Sequence, residues 1–173
     1  MHDREGHVAF ESSVRFDENR IRAAAVYCSD GRYGEHFDDF LRNSLRLPRY
    51  DRLAVPGGAG CLAGHFLAFR EEDGVIEQLR FLVKVHGIER VVLVAHQDCA
   101  FYTERLHVSP LKVETQQRED MQTAVQRIRL LASGLLVDAF FARKHVNGTI
   151  RFEPLGQQGD CTISQFPIRT FSR

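Results

Sequence analysis

The sequence lacks an excess of charge of either sign, because 23 Lys and Arg residues balance 23 Asp and Glu residues. This balance gives no general electrostatic case for binding nucleic acid or an anionic membrane. No stretch approaches the roughly 18 apolar residues that a membrane span requires, and the first thirty residues lack the apolar core of a signal peptide. We therefore expect a cytoplasmic protein that does not bind membranes.

The chain has few cysteines, and the roles they can have are limited. The chain has four cysteines, namely Cys28, Cys61, Cys99 and Cys161. In a cytoplasmic chain, thiols serve more often as ligands or catalysts than as disulfide partners. Cys61 and Cys161 have no second candidate ligand nearby in the sequence, so we expect them to be core or surface thiols.

The length of 173 residues predicts a single domain with a substantial hydrophobic core. We divide it into a polar N-terminal arm (residues 1–20), an α/β core (21–155) and a C-terminal tail (156–173). The tail could dock on a partner subunit.

Short apolar runs alternate with amphipathic stretches along the core. The predicted strands are 21–27, 52–55, 91–95, 135–144 and 149–153, and the predicted helices are 36–47, 71–86 and 115–133. The Asn147-Gly148 pair predicts a hairpin between the last two strands. This order predicts an α/β fold: a mostly parallel four-stranded sheet with an antiparallel edge strand, and helices on its faces.

Two motifs lie where apolar runs end. Cys28-Ser29-Asp30-Gly31-Arg32 follows the first predicted strand, and His96-Gln97-Asp98-Cys99 follows the third. If both runs are parallel strands of one sheet, the motifs emerge at the same edge. Two thiols and one imidazole suit zinc and leave its fourth position open for water. The sequence therefore predicts one Zn²⁺ per chain, bound by Cys28, His96 and Cys99.

The two motifs resemble those of the β-class carbonic anhydrases, which carry Cys-x-Asp-x-Arg after the first strand and His-x-x-Cys after the third. The resemblance extends from about residue 21 to about residue 155. It implies reversible hydration of carbon dioxide to bicarbonate, and a homodimer or larger homo-oligomer. It also implies that Arg32 holds Asp30, so that the carboxylate accepts a hydrogen bond from water on the zinc. In some members the aspartate instead ligates zinc, and both states are open for this chain.

The substrate pocket departs from the family pattern. Where the family usually reads Arg-Asn-Ala-Gly after its second strand, this chain reads Ala54-Val55-Pro56-Gly57-Gly58-Ala59-Gly60. The second motif ends in Cys99-Ala100 rather than Cys-Gly. A glutamine that the longer members place near the substrate is also absent. We expect Gly57, Gly58, Phe101 and Tyr102 to contribute to the altered pocket.

Other interpretations remain open. The glycine-rich stretch lacks the Lys-Ser/Thr of a nucleotide-binding P-loop, so a tight turn explains it better. Asp30 and Arg32 could form a purely structural ion pair. The protein could hydrolyse another small linear substrate, such as carbon disulfide or carbonyl sulfide, or bind zinc without catalysis. A redox role for Cys28 and Cys99 is a further alternative.

Overall fold

The computed structural model describes residues 9–156. The first eight residues of the predicted arm and all of the predicted tail except Gly156 lie outside this range. Residues 9–20 form neither helix nor strand and are exposed. The backbone carbonyl of Asp17 accepts a hydrogen bond from Arg49 (2.7 Å), which fixes this segment to the core. In the part of the chain that is described, no helix is long and apolar enough to cross a membrane.

A five-stranded sheet forms the centre of the molecule. Its strands are β1 (Ala23–Cys28), β2 (Asp51–Val55), β3 (Arg90–His96), β4 (Leu136–Lys144) and β5 (Ile150–Pro154). Their order across the sheet is β2-β1-β3-β4-β5, with β1 to β4 parallel and β5 antiparallel to β4. The predicted fold class is confirmed, with five strands in the sheet rather than four.

Three α-helices connect the strands: α1 (Gly31–Asp39), α2 (Phe69–Phe81) and α3 (Val113–Arg129). The segments Phe40–Ser44 and Leu82–His86 continue α1 and α2 as wider π-type turns. Helix α1 begins five residues before its predicted start at residue 36. Asp30 causes the difference, because its side chain accepts a hydrogen bond from the Arg32 backbone N–H (3.0 Å) and so caps the helix directly after β1.

The helices cover both faces of the sheet. Alternate residues of β1 point to opposite faces. Ala23, Ala25 and Tyr27 pack on the same side as the α1 residue Phe37. Ala24, Val26 and Cys28 pack on the other side, in a cluster that includes residues of α2 and α3. Every residue of β1 is buried, which explains its continuous run of apolar residues.

The strand order reverses between β1 and β3. From β1 the chain moves to β2 on one side of the sheet, and later returns to β3 on the other side. In open α/β sheets, the crevice beyond the carboxyl ends of strands at such a reversal is the usual place for a ligand site. Cys28 is the last residue of β1 and His96 is the last residue of β3. The topology therefore places both predicted motifs at this crevice.

Candidate metal centre

The structure brings Cys28, His96 and Cys99 together. Their candidate ligand atoms all lie within 4.8 Å of one another, and the two sulfur atoms are 3.8 Å apart. All three side chains are buried. Asp98, in the loop between two of them, adopts the left-handed conformation (φ 57°), in which the chain turns sharply before Cys99. The carboxyl ends of two adjacent strands and this turn build the cluster.

The environment of His96 fits a metal ligand. Its Nδ1 lies 2.9 Å from the backbone carbonyl oxygen of Gln97, which can only accept, so Nδ1 carries the proton. Its Nε2 is buried and has no hydrogen-bond partner among residues 9–156. A buried nitrogen lone pair without a partner is costly, and coordination to a metal would satisfy it. Two sulfurs and one imidazole nitrogen are donors that zinc accepts.

The thiols of Cys28 and Cys99 shift each other's pKa values. The hydrogen bond from the Cys99 thiol lowers the pKa of Cys28 to about 4, against a smaller opposing effect of burial. The same interaction raises the pKa of Cys99, since Cys99 is the group that keeps its proton. This arrangement favours the anionic form of the Cys28 sulfur. An anionic sulfur is the form that binds zinc.

Asp30 and Arg32 form a bidentate ion pair at the rim of the cluster. Arg32 Nη2 lies 2.6 Å from Asp30 Oδ2, and Arg32 Nε lies 2.9 Å from Asp30 Oδ1. The hydrogen bonds from Arg32 lower the pKa of Asp30 to about 2, so the carboxylate is ionised at neutral pH. Asp30 is not among the residues whose donor atoms form the cluster. Arg32, rather than the candidate metal position, holds its carboxylate.

A pocket with a volume of about 500 Å³ opens beside the cluster. Its wall includes Cys28, Ser29 and Asp30 on one side, Pro56, Gly57, Ala100 and Phe101 as an apolar part, and Glu71, Glu104 and Arg105 as a polar part. Of the four predicted pocket residues, Gly57 and Phe101 are therefore in the wall. Gly58 and Tyr102 are not.

Gly58 and Tyr102 have other positions. Gly58 has a φ of +54° and packs so tightly on β1 that a Cβ atom there would lie 2.6 Å from the Cys28 backbone nitrogen. Tyr102 is buried, and its hydroxyl lies where a Cβ atom on Gly60 would be. Both residues hold the glycine-rich loop against the sheet, and the structure places neither of them against the pocket.

Two buried polar residues next to the cluster were not predicted from the sequence as part of the site. The Tyr33 hydroxyl donates a hydrogen bond to the Gln97 carbonyl (3.0 Å), the same oxygen that accepts from His96. Gln117 Nε2 donates to the His96 carbonyl (2.9 Å). Gln117 carries a signal that could have been used, because it is a polar residue on the buried stripe of α3. Tyr33 carries none, because its contact depends on the tertiary fold.

Glu71 and Arg105 were also not predicted. Arg105 Nη2 lies 2.6 Å from Glu71 Oε1, and Arg105 Nε donates to the Leu67 carbonyl (2.9 Å). The second carboxylate oxygen of Glu71 is buried and has no hydrogen-bond partner in the described part of the chain. The pocket therefore has a second polar wall, made from residues 34 positions apart in the chain.

Comparison with solved structures identifies related folds. The β-carbonic anhydrase isoform I of Trichomonas vaginalis superposes with a TM-score of 0.54 at 12% identity, over 83% of this chain and 87% of that one. The carbonic anhydrase of Glaciozyma antarctica gives 0.50 at 15% identity, over 76% and 80% of the two chains. The carbonic anhydrase of Streptococcus mutans gives 0.50 at 16% identity, over 79% and 82%. At these low sequence identities, the structural similarity is evidence for the fold alone.

Comparison of sequences identifies the family. No curated protein matches the chain. A family model described as "Putative carbonic anhydrase" matches residues 18–151, a range that includes both motifs and all three cluster residues. The chain therefore belongs to this carbonic anhydrase family.

Proposed function

We propose that this protein is a zinc-dependent carbonic anhydrase, which catalyses the reversible hydration of carbon dioxide to bicarbonate and a proton. The observation that carries the proposal is the donor cluster of Cys28, His96 and Cys99, with the unpartnered Nε2 of His96 in it. Family membership over residues 18–151 supports it. Zinc bound by these side chains would supply a Lewis acid that lowers the pKa of a water molecule to about 7.

Asp30 would orient the attacking water. Its carboxylate lies in the pocket wall and is held by Arg32, so its rotation is restricted. Because its pKa is about 2, it is a hydrogen-bond acceptor throughout the neutral range. A water that donates to Asp30 would direct a lone pair towards the substrate. The ion pair thus restricts an acceptor that would otherwise rotate freely.

The apolar part of the pocket would receive the substrate. Pro56, Gly57, Ala100 and Phe101 present no side-chain hydrogen-bond donor or acceptor. Such a surface suits a linear molecule without a net dipole, and it excludes ordered water from the reacting carbon. We assign Gly57 and Phe101 to this role.

The same apolar wall favours a second candidate function, the hydrolysis of carbon disulfide or carbonyl sulfide. The loop 54–60 has no side chain that could distinguish oxygen from sulfur at the end of a linear substrate. Both substrates would use the same donor cluster and the same Asp30. Relative turnover of the three substrates by one zinc-loaded sample decides between these functions.

We further propose that the protein is at least a homodimer and is cytoplasmic. Phe66, Leu67 and Phe69 are exposed and follow the glycine-rich loop. The Leu67 carbonyl bonds to Arg105 of the pocket wall, so this apolar segment lies near the pocket. Contiguous exposed apolar residues are typical of a subunit interface. A monomer mass by light scattering at micromolar concentration would contradict the dimer.

The cytoplasmic location is supported by the three buried free thiols of the described residues, because free thiols are typical of a reducing compartment.

The function is tested by stopped-flow carbon dioxide hydration at about pH 8.5, above the pKa of about 7 that zinc gives to water. Zinc content is measured for every sample. We expect turnover in wild type, none in Cys28→Ser, and a loss of about 100-fold in Asp30→Asn, since positioned groups of this kind contribute about that factor. Asp39→Asn makes the same change at the other end of α1, where Asp39 bonds to Asn43, and should leave turnover unchanged. No turnover in zinc-loaded wild type would refute the proposal.

A further inference from the structure

The two cluster thiols are close enough to react with each other. Cys28 Sγ and Cys99 Sγ are 3.8 Å apart and hydrogen-bonded. A disulfide has an S–S bond of about 2.0 Å, so the sulfurs must approach by about 1.8 Å. Cys99 lies in the loop after β3 and not in a strand, so its backbone can move without breaking the pairing of the sheet. Side-chain rotation and a small loop shift together can close this distance.

Access to the two sulfurs is unequal. Cys28 lies in the wall of the 500 Å³ pocket, where a small reagent can reach it. Cys99 is 2% exposed and is not among the residues of the pocket wall. The third described thiol, Cys61, is fully buried under the glycine-rich loop. A reagent that enters the pocket therefore meets Cys28 first, and the nearest sulfur to the product of that reaction is Cys99.

We propose that Cys28 and Cys99 form an oxidative modification site, which a small hydroperoxide converts to an intramolecular disulfide when no metal is bound. In the first step the Cys28 sulfur attacks the terminal peroxide oxygen, and the O–O bond breaks. Cys28 becomes a sulfenic acid, and the hydroperoxide leaves as an alcohol, or as water when it is hydrogen peroxide.

The second step closes the disulfide. The Cys99 sulfur attacks the Cys28 sulfur, the S–S bond forms, and the sulfenic oxygen leaves as water with the Cys99 proton. In sum, two thiols lose two electrons and two protons, and the hydroperoxide is reduced by two electrons.

The disulfide and the bound metal exclude each other. Both sulfurs would ligate zinc as thiolates, so oxidation removes two of the three protein donors. Bound metal in turn occupies the sulfur lone pairs that the oxidation needs. This inference rests on the proposed metal site, but it requires no carbon dioxide turnover. The oxidation state of Cys28 and Cys99 would thus decide whether the chain can bind its metal.

The test maps the disulfide in the full chain. Cys161 is replaced by serine in every sample, because it lies outside the described residues. Trypsin cleaves after Arg22, Arg32, Arg90 and Arg105 and so places Cys28 in peptide 23–32 and Cys99 in peptide 91–105, while Cys61 lies in peptide 53–70. Metal-free protein is treated with one equivalent of hydrogen peroxide, free thiols are alkylated, and the peptides are weighed without reduction.

We expect peptides 23–32 and 91–105 to be linked, with a mass two hydrogens below their sum. Zinc-loaded protein should form this link at least tenfold more slowly. Cys61→Ser, the matched control, should form it as fast as the Cys161→Ser parent, and Cys99→Ser should stop at a sulfenic acid on Cys28. Oxidised protein should fail to compete with a chromophoric chelator for zinc, and a thiol reductant should restore this competition.

Three results would overturn the proposal: a link that includes Cys61, oxidation of Cys28 beyond sulfenic acid with Cys99 still free, or equal rates with and without zinc. None of these depends on enzymatic activity. A protein that forms the disulfide when metal-free, but does not hydrate carbon dioxide when reduced and zinc-loaded, would refute the proposed function alone. A protein that is active when zinc-loaded, but forms no disulfide when metal-free, would refute this inference alone.

Discussion

Replacing Gly58 by alanine tests whether the glycine-rich loop is fixed by its contact with β1. The new Cβ atom would lie 2.6 Å from the Cys28 nitrogen and 2.7 Å from the Tyr27 carbonyl carbon, where ordinary contacts begin at 3.4 Å. Both are backbone atoms of a strand paired on each side, so they cannot move aside. The loop must move instead.

The expected cost has two parts. The left-handed backbone at Gly58 (φ +54°) disfavours alanine by about 1 kcal/mol. The forced displacement of a packed loop adds about 1–3 kcal/mol, the range for overpacked cores. We therefore expect Gly58→Ala to lower the free energy of unfolding by about 2–4 kcal/mol, a large share of the about 5–15 kcal/mol typical of a domain.

Urea unfolding followed by far-UV circular dichroism measures this change, since the chain has no tryptophan to report it. The matched control is Gly74→Ala in α2, where a Cβ atom would meet nothing within 4 Å. Alanine is favoured over glycine inside a helix, so this control should gain about 0.5–1 kcal/mol. A Gly58→Ala protein within about 0.5 kcal/mol of wild type, the usual range for a neutral surface change, would refute the close packing of the loop.

Three further predictions concern the centre and its surroundings. Tyr33→Phe removes the donor to the Gln97 carbonyl and should cost about 1 kcal/mol of stability. Its zinc affinity should fall about tenfold, measured by chelator competition, and an unchanged affinity would contradict a positioning role. A hydrogen bond from Arg143, with a second from Arg118, lowers the pKa of Glu153. The stability that Glu153 contributes is therefore present above its ordinary pKa of 4.5 and lost as the pH falls through the lowered value. The Glu153→Gln variant should therefore lose less stability than wild type between about pH 5 and pH 3. Urea midpoints that fall equally with pH in the two proteins would contradict this. Added zinc should raise the Tm of wild type, because the folded chain binds it. His96→Gln should abolish most of this rise. Equal Tm shifts of the two proteins in a thermal melt would exclude His96 as a ligand.

The sheet and the cluster of Cys28, His96 and Cys99 could be predicted because their signals are local. The run Val91–Ala95 is continuous and apolar, as a strand buried on both faces requires, and the motif after it carries two of the donors. The start of α1 could not be predicted from the apolar stripe. Its first turn contains no aliphatic residue, and its position depends on a cap from Asp30, a residue whose motif indicates chemistry rather than capping.

The pocket wall could be predicted only in part, because distant segments build it. Glu71 and Arg105 meet only after α2 and the loop following β3 have packed together. Tyr102 follows Phe101 directly, yet one ring borders the pocket and the other is buried beneath it. Proximity in sequence to Cys99 could not separate the two rings.

The double use of Asp30 limits how this position can change. Its side chain caps the first turn of α1 and, in the proposed mechanism, is also the acceptor at the pocket. Asparagine caps a helix about as well as aspartate, whereas alanine loses about 1 kcal/mol of cap. A lineage that abandoned the reaction could therefore drift to asparagine at little cost in folding, and its sheet, helix and thiols would persist. A nitrogen in place of one oxygen would then separate an efficient enzyme from a descendant about 100-fold less active with the same architecture.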